Sequence, residues 1–444
     1  MYVRGQVRLT TELFAPDFKD APYWWEAAPP STAAVPALAD RVDVAIVGAG
    51  YCGLSAALEL RRHGIGALVM DAARIGHAAS SLNGGMVAGS LKLGHAELAR
   101  AFGAERASAI LEESARCLPF LEELLAREAI ACNYRRSGRF VGAHCPSAYA
   151  SLESRVETTR KLTGADAWLV PRHRQREEID TDHYYGGMVA EASGGLHPAR
   201  YHRGLAEAAR RAGALVVEDT PVDAITRRAG GFTLRTVRGV VEAREVIIAT
   251  NGYTGAVTPW LRRRLIPLNS YIIATEPLPP ETTRRLIPRG RMIVDTNRVL
   301  SYYRLSPDGT RVLYGGRASF RRATARQAAP QLHAMMVGVW PELTRTRVTH
   351  AWTGYVAFTF DHVPHMGVHE GVHYAVGCQG SGVGMATYLG YRTALKIAGK
   401  ALAPCAFDGL PFPTRPTYTG DPWFLPVVGS YYRLRDWLER RLAA

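Results

Sequence analysis

Residues 42–53 constrain this chain more than any other stretch. Val42-Asp43-Val44-Ala45-Ile46-Val47 is the kind of run that fills a buried strand, and Gly48-Ala49-Gly50-Tyr51-Cys52-Gly53 follows it directly. Gly48, Gly50 and Gly53 have the G-x-G-x-x-G spacing. Between a strand and a helix that spacing has a physical basis. The first glycine makes a tight turn, the second lets backbone approach a pyrophosphate, and the third lets helix and strand pack closely. Leu54, Ala57 and Leu58 then sit at helical spacing, and the helix gives way at His63-Gly64. Its N-terminus offers free N–H groups and the positive end of a dipole to phosphates. A second strand, Ala67-Leu68-Val69-Met70, ends at Asp71. That acid stands where ribose hydroxyls are bound in such units, roughly 20 residues past the turn. Strand, turn, helix, strand and acid together ask for a dinucleotide.

The 444 residues allow one large or two interleaved domains, and 47% hydrophobic residues can fill a sizeable core. The net charge of +14 is an arginine effect, because the lysines are Lys19, Lys92, Lys161, Lys396 and Lys400 alone. Basic clusters at residues 172–176, 262–264 and 433–441 carry no nucleic-acid motif and read as solvated faces, so no nucleic-acid partner is expected. Cys52, Cys117, Cys132, Cys145, Cys378 and Cys405 form no C-x-x-C pair. No metal site is therefore expected, and reduced thiols point to a cytoplasmic protein. Residues 1–14 hold no apolar leader core, and no run approaches a transmembrane segment.

Along the chain, residues 1–41 read as an irregular arm carrying Tyr23-Trp24-Trp25. The loop at 76–86 is rich in small residues and lets backbone pass close to a flat ligand. Residues 93–127 read as helical, and 138–143 and 188–192 as short strands. A helix at 200–212 and a strand at 214–218 lead to an antiparallel meander at 222–227, 232–236 and 240–242. A further strand follows at 245–249. Strands at 272–275, 292–295, 301–305 and 312–315 suggest an antiparallel platform. A last strand at 372–377 meets Gly380-Ser381-Gly382-Val383-Gly384 and a helix at 385–398, a second helix N-terminus aimed at a ligand. Residues 431–442 form a basic amphipathic helix, expected to pack on its own domain.

These pieces resemble the FAD-dependent D-amino-acid-oxidase-like superfamily, which includes glycine and sarcosine oxidases. The resemblance runs from about Tyr23 to Ala401 and is nearest to the gamma-glutamylputrescine oxidase-like branch. It rests on residues 43–53, Asn83-Gly84-Gly85, His197-Pro198, Ala249-Thr250-Asn251-Gly252-Tyr253, Thr275-Glu276-Pro277, Gly315-Gly316-Arg317, residues 358–364 and Met385-Ala386-Thr387-Tyr388-Leu389-Gly390, in that order. It implies an α/β fold of mixed α+β character: a Rossmann-like FAD-binding domain interleaved with an antiparallel-sheet substrate domain. The expected segments are an arm at 1–40, FAD-binding parts at 41–130, 195–255 and 351–404, and substrate-domain parts at 131–194 and 256–350. A tail follows at 405–444.

The resemblance also implies roles. Gly48, Gly50 and Gly53 would line the pyrophosphate, Asp71 the ribose, and Val222 the adenine. Ser81, Asn83, Gly84, Gly85 and Thr250 would bind the cofactor, as would Gly380, Gly382, Val383, Gly384 and Met385. Ser381, Trp352 and Tyr303 are the expected catalytic or substrate-contacting residues. Tyr271 and Tyr302 are further aromatic candidates, although strand alternation lets only one of Tyr302 and Tyr303 face the site. The implied reaction oxidises an amine to an imine, with molecular oxygen or another acceptor, a quinone or a protein carrier, taking the electrons. A non-enzymatic dinucleotide-binding protein is the remaining alternative. Members that attach flavin covalently carry a cysteine just before the segment matching 358–364; residues 350–356 have none, so noncovalent FAD is expected. Sarcosine-oxidase relatives clamp a substrate carboxylate with arginine and lysine where Leu82 and Gly384 stand. The expected substrate is thus a small-molecule amine with little need of an alpha-carboxylate.

Overall fold

The computed structural model describes residues 13–320 and 323–442. The chain forms two large sheets. The first centres on parallel strands Arg41–Val47 and Ala67–Met70, flanked by Leu215–Val217 on one side and Gly239–Ile248 on the other. The first half of Gly239–Ile248 pairs antiparallel with Gly231–Thr236, which in turn pairs with Val222–Arg228. Its last residues, Ile247 and Ile248, instead pair in parallel with His373 and Tyr374 of Val372–Val376. The two short strands expected at 240–242 and 245–249 are therefore one strand. Arg244 is simply an exposed position in a continuing alternation, which gives way to a buried run as the strand enters the parallel core.

Helices Tyr51–Arg62, Pro198–Arg211 and Gly382–Ile397 pack together beside this sheet. Every residue from Tyr51 to Leu60 is buried, as expected of a helix covered all round. Two glycines permit the close approach. A Cβ at Gly53 would lie 2.0 Å from the Gly48 carbonyl oxygen, and one at Gly390 would lie 2.1 Å from that of Cys52.

The second sheet has nine strands in the order Phe14–Lys19, Val348–Phe358, Ile266–Thr275, Val312–Gly316, Ser301–Leu305, Met292–Asp295, Arg139–Gly142, Gly187–Ala190, Ala167–Val170. It is mixed rather than purely antiparallel. Phe14–Lys19 runs parallel to Val348–Phe358, and Met292–Asp295 runs parallel to Arg139–Gly142. Part of the expected irregular arm is thus an edge strand. The expected boundary at 351 also falls inside a strand of this sheet.

Helix Ala325–Val339 covers the far face and escaped the sequence reading because Pro330 interrupts its pattern. Its start was legible, since Thr324 and Gln327 form a capping box. Helix Pro146–Thr163 escaped for another reason: it buries only Leu152 and Val156. The run at 93–127 is three helices, broken at Gly103 (φ +84°) and at Arg116. The stretch read as lacking a leader lies almost wholly outside the described residues. Among the described residues no helix is long and apolar enough to cross a membrane, and all six cysteines are free and buried.

Candidate active site

A cavity of about 1160 Å³ runs between the two sheets. That exceeds the roughly 300–1,000 Å³ of ordinary small-molecule sites. One end lies where the parallel strands finish, the usual ligand position in open α/β sheets. Gly48, Gly50, Asp71, Val222 and Thr250 line it. Gly48 has φ +105°, and a Cβ there would lie 3.0 Å from the Ala249 carbonyl oxygen. At Gly50 a Cβ would point toward Ser80 Oγ, 3.1 Å away. Gly53 is not on the wall; its missing side chain serves helix-to-turn packing. At the start of helix Tyr51–Arg62 the N-cap Gly50 has no side chain to offer; Ser80 Oγ accepts from the Tyr51 N–H at 3.1 Å, and the helix's positive end faces the cavity. Asp71 Oδ2 accepts from the Ala49 N–H at 2.7 Å and Oδ1 from the Ala73 N–H at 2.9 Å. Each carboxylate oxygen has lone-pair capacity left for a ligand hydroxyl. A bare-backbone cradle, an open helix end and a positioned acid fit a dinucleotide.

The 80–85 loop forms the next part of the wall. Ser81 is fully buried off the cavity, where its hydroxyl donates to the Gly76 and Ala78 carbonyls. Asn83 and Gly84 line the cavity. The Asn83 amide, however, is spent within the protein. Nδ2 donates to the Ala79 carbonyl at 3.0 Å and to Tyr51 Oη at 3.2 Å, while Oδ1 accepts from the Gly85 N–H at 2.8 Å. Gly85 faces inward, where a Cβ would lie 2.2 Å from the Leu196 carbonyl oxygen. Two indoles hold this loop. Trp24 Nε1 donates to the Asn83 carbonyl at 2.9 Å, and Trp352 Nε1 donates to the Leu82 carbonyl at 2.7 Å. Trp352, expected to meet substrate, is buried off the wall and acts as a brace.

At the second turn Gly380, Ser381, Gly382 and Val383 line the cavity, and helix Gly382–Ile397 also starts without a side-chain cap. Ser381 Oγ donates to the Ser90 carbonyl at 3.4 Å. Gly384 and Met385 do not reach the cavity. A Cβ at 384 would face Cys117 at 3.5 Å, and Met385 Sδ lies 3.8 Å from Cys117 Sγ. Two residues past the turn, helical rotation has carried side chains to another face. Gly384 is thus not a vacated clamp position.

On the nine-stranded sheet Tyr302 is the tyrosine that faces the cavity, its Oη 2.9 Å from Ser270 Oγ. Gly84 and Gly315 make room for its ring. Tyr303 points to the opposite face. Its Oη lies 2.6 Å from Tyr184 Oη, and its ring stacks on Tyr314 at 4.9 Å. The catalytic expectation for Tyr303 is corrected by the pleat itself. Tyr271 is likewise buried away from the cavity, donating to the Ala323 carbonyl at 3.2 Å.

Sequence reading missed the charges on this wall. Lys92, Arg139, Arg155 and Arg317 all line the cavity, and none has an ion-pair partner among the described residues. Burial, with Arg317 nearby, lowers the Lys92 ammonium to about 7. Burial, with Arg155 nearby, lowers Arg139 to about 10. Asp295, also on the wall, is raised to about 7 by burial, against hydrogen bonds from Asn297 and from the Ser301 N–H. Arg298 differs from the four cations, because Glu439 and Asp436 of helix Leu425–Leu442 neutralise it. His144 Nε2 and Cys145 Sγ gather near that same Glu439. Its carboxylate, however, accepts from both Arg298 Nη atoms at 2.8 Å. The group is an ion-pair clasp fastening the last helix to the cavity rim. Only tertiary contact could have revealed these side chains, since no local spacing links them.

Residues 43–395 match the family model for DAO, FAD dependent oxidoreductase. The chain is 31% identical over 397 residues to gamma-glutamylputrescine oxidoreductase of Escherichia coli (strain K12), covering 89% of this chain and 92% of that one. It is 30% identical over 423 residues to probable oxidoreductase OrdL of Rhizobium meliloti (strain 1021), covering 93% and 97%. The crystal structure of glycine oxidase from Geobacillus kaustophilus shares the fold, with a TM-score of 0.68 at 22% identity over 85% of this chain and 99% of that one. The chain therefore belongs to the DAO family of FAD-dependent oxidoreductases, and its dinucleotide is FAD.

Proposed function

We propose that this enzyme oxidises a primary or secondary amine to an imine, which water hydrolyses, and that molecular oxygen takes the electrons to give hydrogen peroxide. FAD, when bound, supplies the two-electron acceptor. The observation that carries the reading is the continuity of the cavity. One space joins the dinucleotide cradle at Gly48, Gly50 and Asp71 to a compartment walled by Leu82, Tyr302 and Val356. The names of the Escherichia coli relative, a gamma-glutamylputrescine oxidoreductase, and the Geobacillus neighbour, a glycine oxidase, supply the donor class. In this reading one sheet carries an FAD-binding domain and the other a substrate domain, each assembled from separate segments.

The chain's own residues provide position and medium. Gly48, Gly50, Asp71, Val222 and Thr250 hold the adenosine and pyrophosphate end. Gly84 and the turn Gly380-Ser381-Gly382-Val383 receive the other end. Tyr302, its hydroxyl fixed by Ser270, forms a flat wall for the donor. Lys92 and Arg317 disfavour a further positive charge and so favour the uncharged amine, whose lone pair hydride loss requires.

A specific observation favours a second reading, in which a carrier rather than oxygen takes the electrons. Helix Leu425–Leu442, clasped to the cavity rim, exposes Val427 (70%), Tyr431 (53%) and Leu434 (54%), a face on which a carrier could dock. Peroxide measured against amine consumed under air decides between them. One peroxide per imine supports the oxidase; turnover that needs an added quinone or carrier, with no peroxide, overturns it.

A further inference from the structure

The four unpaired cations specify more than an amine. Lys92 and Arg317 flank one aromatic ring, their charged groups 4.6 Å and 4.7 Å from the centre of Phe358. Among the described residues Arg317 Nη1 finds only a carbonyl, that of Arg298 at 3.4 Å. Arg139 and Arg155, both on the cavity wall, form the second pair: they belong to strand Arg139–Gly142 and helix Pro146–Thr163, which pack together through Val141, Leu152 and Val156. Arg139 Nη2 donates to Ser90 Oγ at 3.0 Å, and its buried Nε has no partner. Glu97 influences Arg155 without forming an ion pair, and its carboxylate accepts from the Gly94 N–H at 3.0 Å. Arg317 follows strand Val312–Gly316, and strands Ser301–Leu305 and Met292–Asp295 lie between that strand and Arg139–Gly142, so the two pairs sit apart along the wall. Like charges brought together with no acid between them cost free energy in a partly desolvated wall, and an anion seated at each pair reverses the sign.

We propose that the cavity holds two separate carboxylate subsites, Lys92 with Arg317 and Arg139 with Arg155, so that the preferred donor is an amine bearing two acidic groups. This deepens the amine reading and rests on it. It also replaces the expectation of a donor with little need of a carboxylate. Leu82 brings no charge to the wall and Gly384 does not reach it, but other elements supply cations. Guanidinium groups suit carboxylates, because paired N–H donors meet paired oxygens. Asp295 does not cancel this wall, since its carboxyl is partly protonated near neutral pH and engaged by Asn297.

The test uses the holoenzyme and one secondary amine prepared as diacid, monoester and diester. Specificity constants are expected to fall at least about tenfold at each esterification. Arg317→Met and Arg139→Met should each abolish one of the two steps, and Arg139→Lys should restore part of the second. Glutarate, which has two carboxylates and no amine, gives a readout without turnover. It should perturb the flavin absorbance of the native protein and bind at least about tenfold more weakly to each methionine variant. Equal rates for diacid and diester, or glutarate binding unchanged in both variants, would overturn the proposal. Arginine-dependent glutarate binding in a protein that no amine reduces would leave the subsites standing and remove the amine reading instead.

Discussion

At one end of the cavity the wall is mostly backbone, drawn from a few short contiguous stretches. At the other it is side chains, drawn from strands and helices hundreds of residues apart. Gly48, Gly50 and Asp71 belong to a single strand-helix-strand unit and need only that unit to form. Lys92, Arg139, Arg155, Tyr302 and Arg317 come from separate elements far apart in the sequence and meet only through the tertiary fold. The cofactor end is therefore fixed by local geometry, which tolerates little, and the donor end by long-range packing, which can vary without touching the cradle. Substitutions should separate the two ends cleanly.

The largest effect is expected at Gly53. Valine there places a Cβ 2.0 Å from the Gly48 carbonyl oxygen, where only backbone movement makes room. Loss of folded holoprotein is expected, with a cost of at least about 3 kcal/mol. A Gly53→Val protein that melts at the native temperature and keeps its yellow colour would dissolve the distinction between packing glycine and cradle glycine.

Gly50→Val and Asp71→Ala should spare the fold and weaken FAD. The only heavy atom within 4 Å of a Cβ at 50 is Ser80 Oγ, so the chain accommodates the side chain while the ligand does not. Removing the Asp71 carboxylate deletes a charge-assisted hydrogen bond, about 1.5–3 kcal/mol or roughly ten- to 150-fold in affinity. Titration of apoprotein with FAD measures both; native affinity in both variants would refute the cradle.

The donor end should respond to pH. An anion bound beside Lys92 favours its charged form, so binding takes up a proton and weakens as pH rises through about 7. Arg317 stays charged throughout, and His362, which burial lowers below its usual range, stays neutral there. Amine ionisation works in the opposite direction, raising rates with pH, but it belongs to the donor and is the same for native and Lys92→Arg enzyme. For the diacid, the ratio of kcat/KM in the native enzyme to that in Lys92→Arg should therefore fall between about pH 6 and 9. A flat ratio would show that Lys92 does not meet the donor.

The smallest effect should come from Cys378, which lines the cavity at the second turn. Burial pushes its thiol up to about 12, so it remains protonated and unreactive. Acid precipitation should release the flavin, and Cys378→Ala should leave flavin content unchanged. A yellow pellet would show a covalent link.

What was legible in the sequence follows the same division. The glycine spacing, the acid after the second strand and the turn at 380–383 are local patterns, and Gly48, Gly50, Asp71 and residues 380–383 lie on the cavity wall. The misses were decided by which way a side chain points. Tyr303 and Trp352 are the right residue types on the right strands, but the pleat turns Tyr303 away and an indole hydrogen bond commits Trp352 to the loop at Leu82. Ser81, Gly85, Gly384 and Met385 stand one or two residues from lining positions, far enough for a turn or a helix to rotate them inward. Arg139 and Arg155 carried no local signal, because nothing in residues 131–160 hints that strand and helix aim their cations at a common space.

Whether one cavity brings an amine to FAD is decided by anaerobic mixing, because no external electron acceptor is involved. Under argon, an excess of a secondary amine diacid should bleach the visible flavin band of the holoenzyme within a single turnover, and its diester should do so at least about tenfold more slowly. A flavin band that no primary or secondary amine bleaches, in protein that dithionite still reduces, would contradict the account.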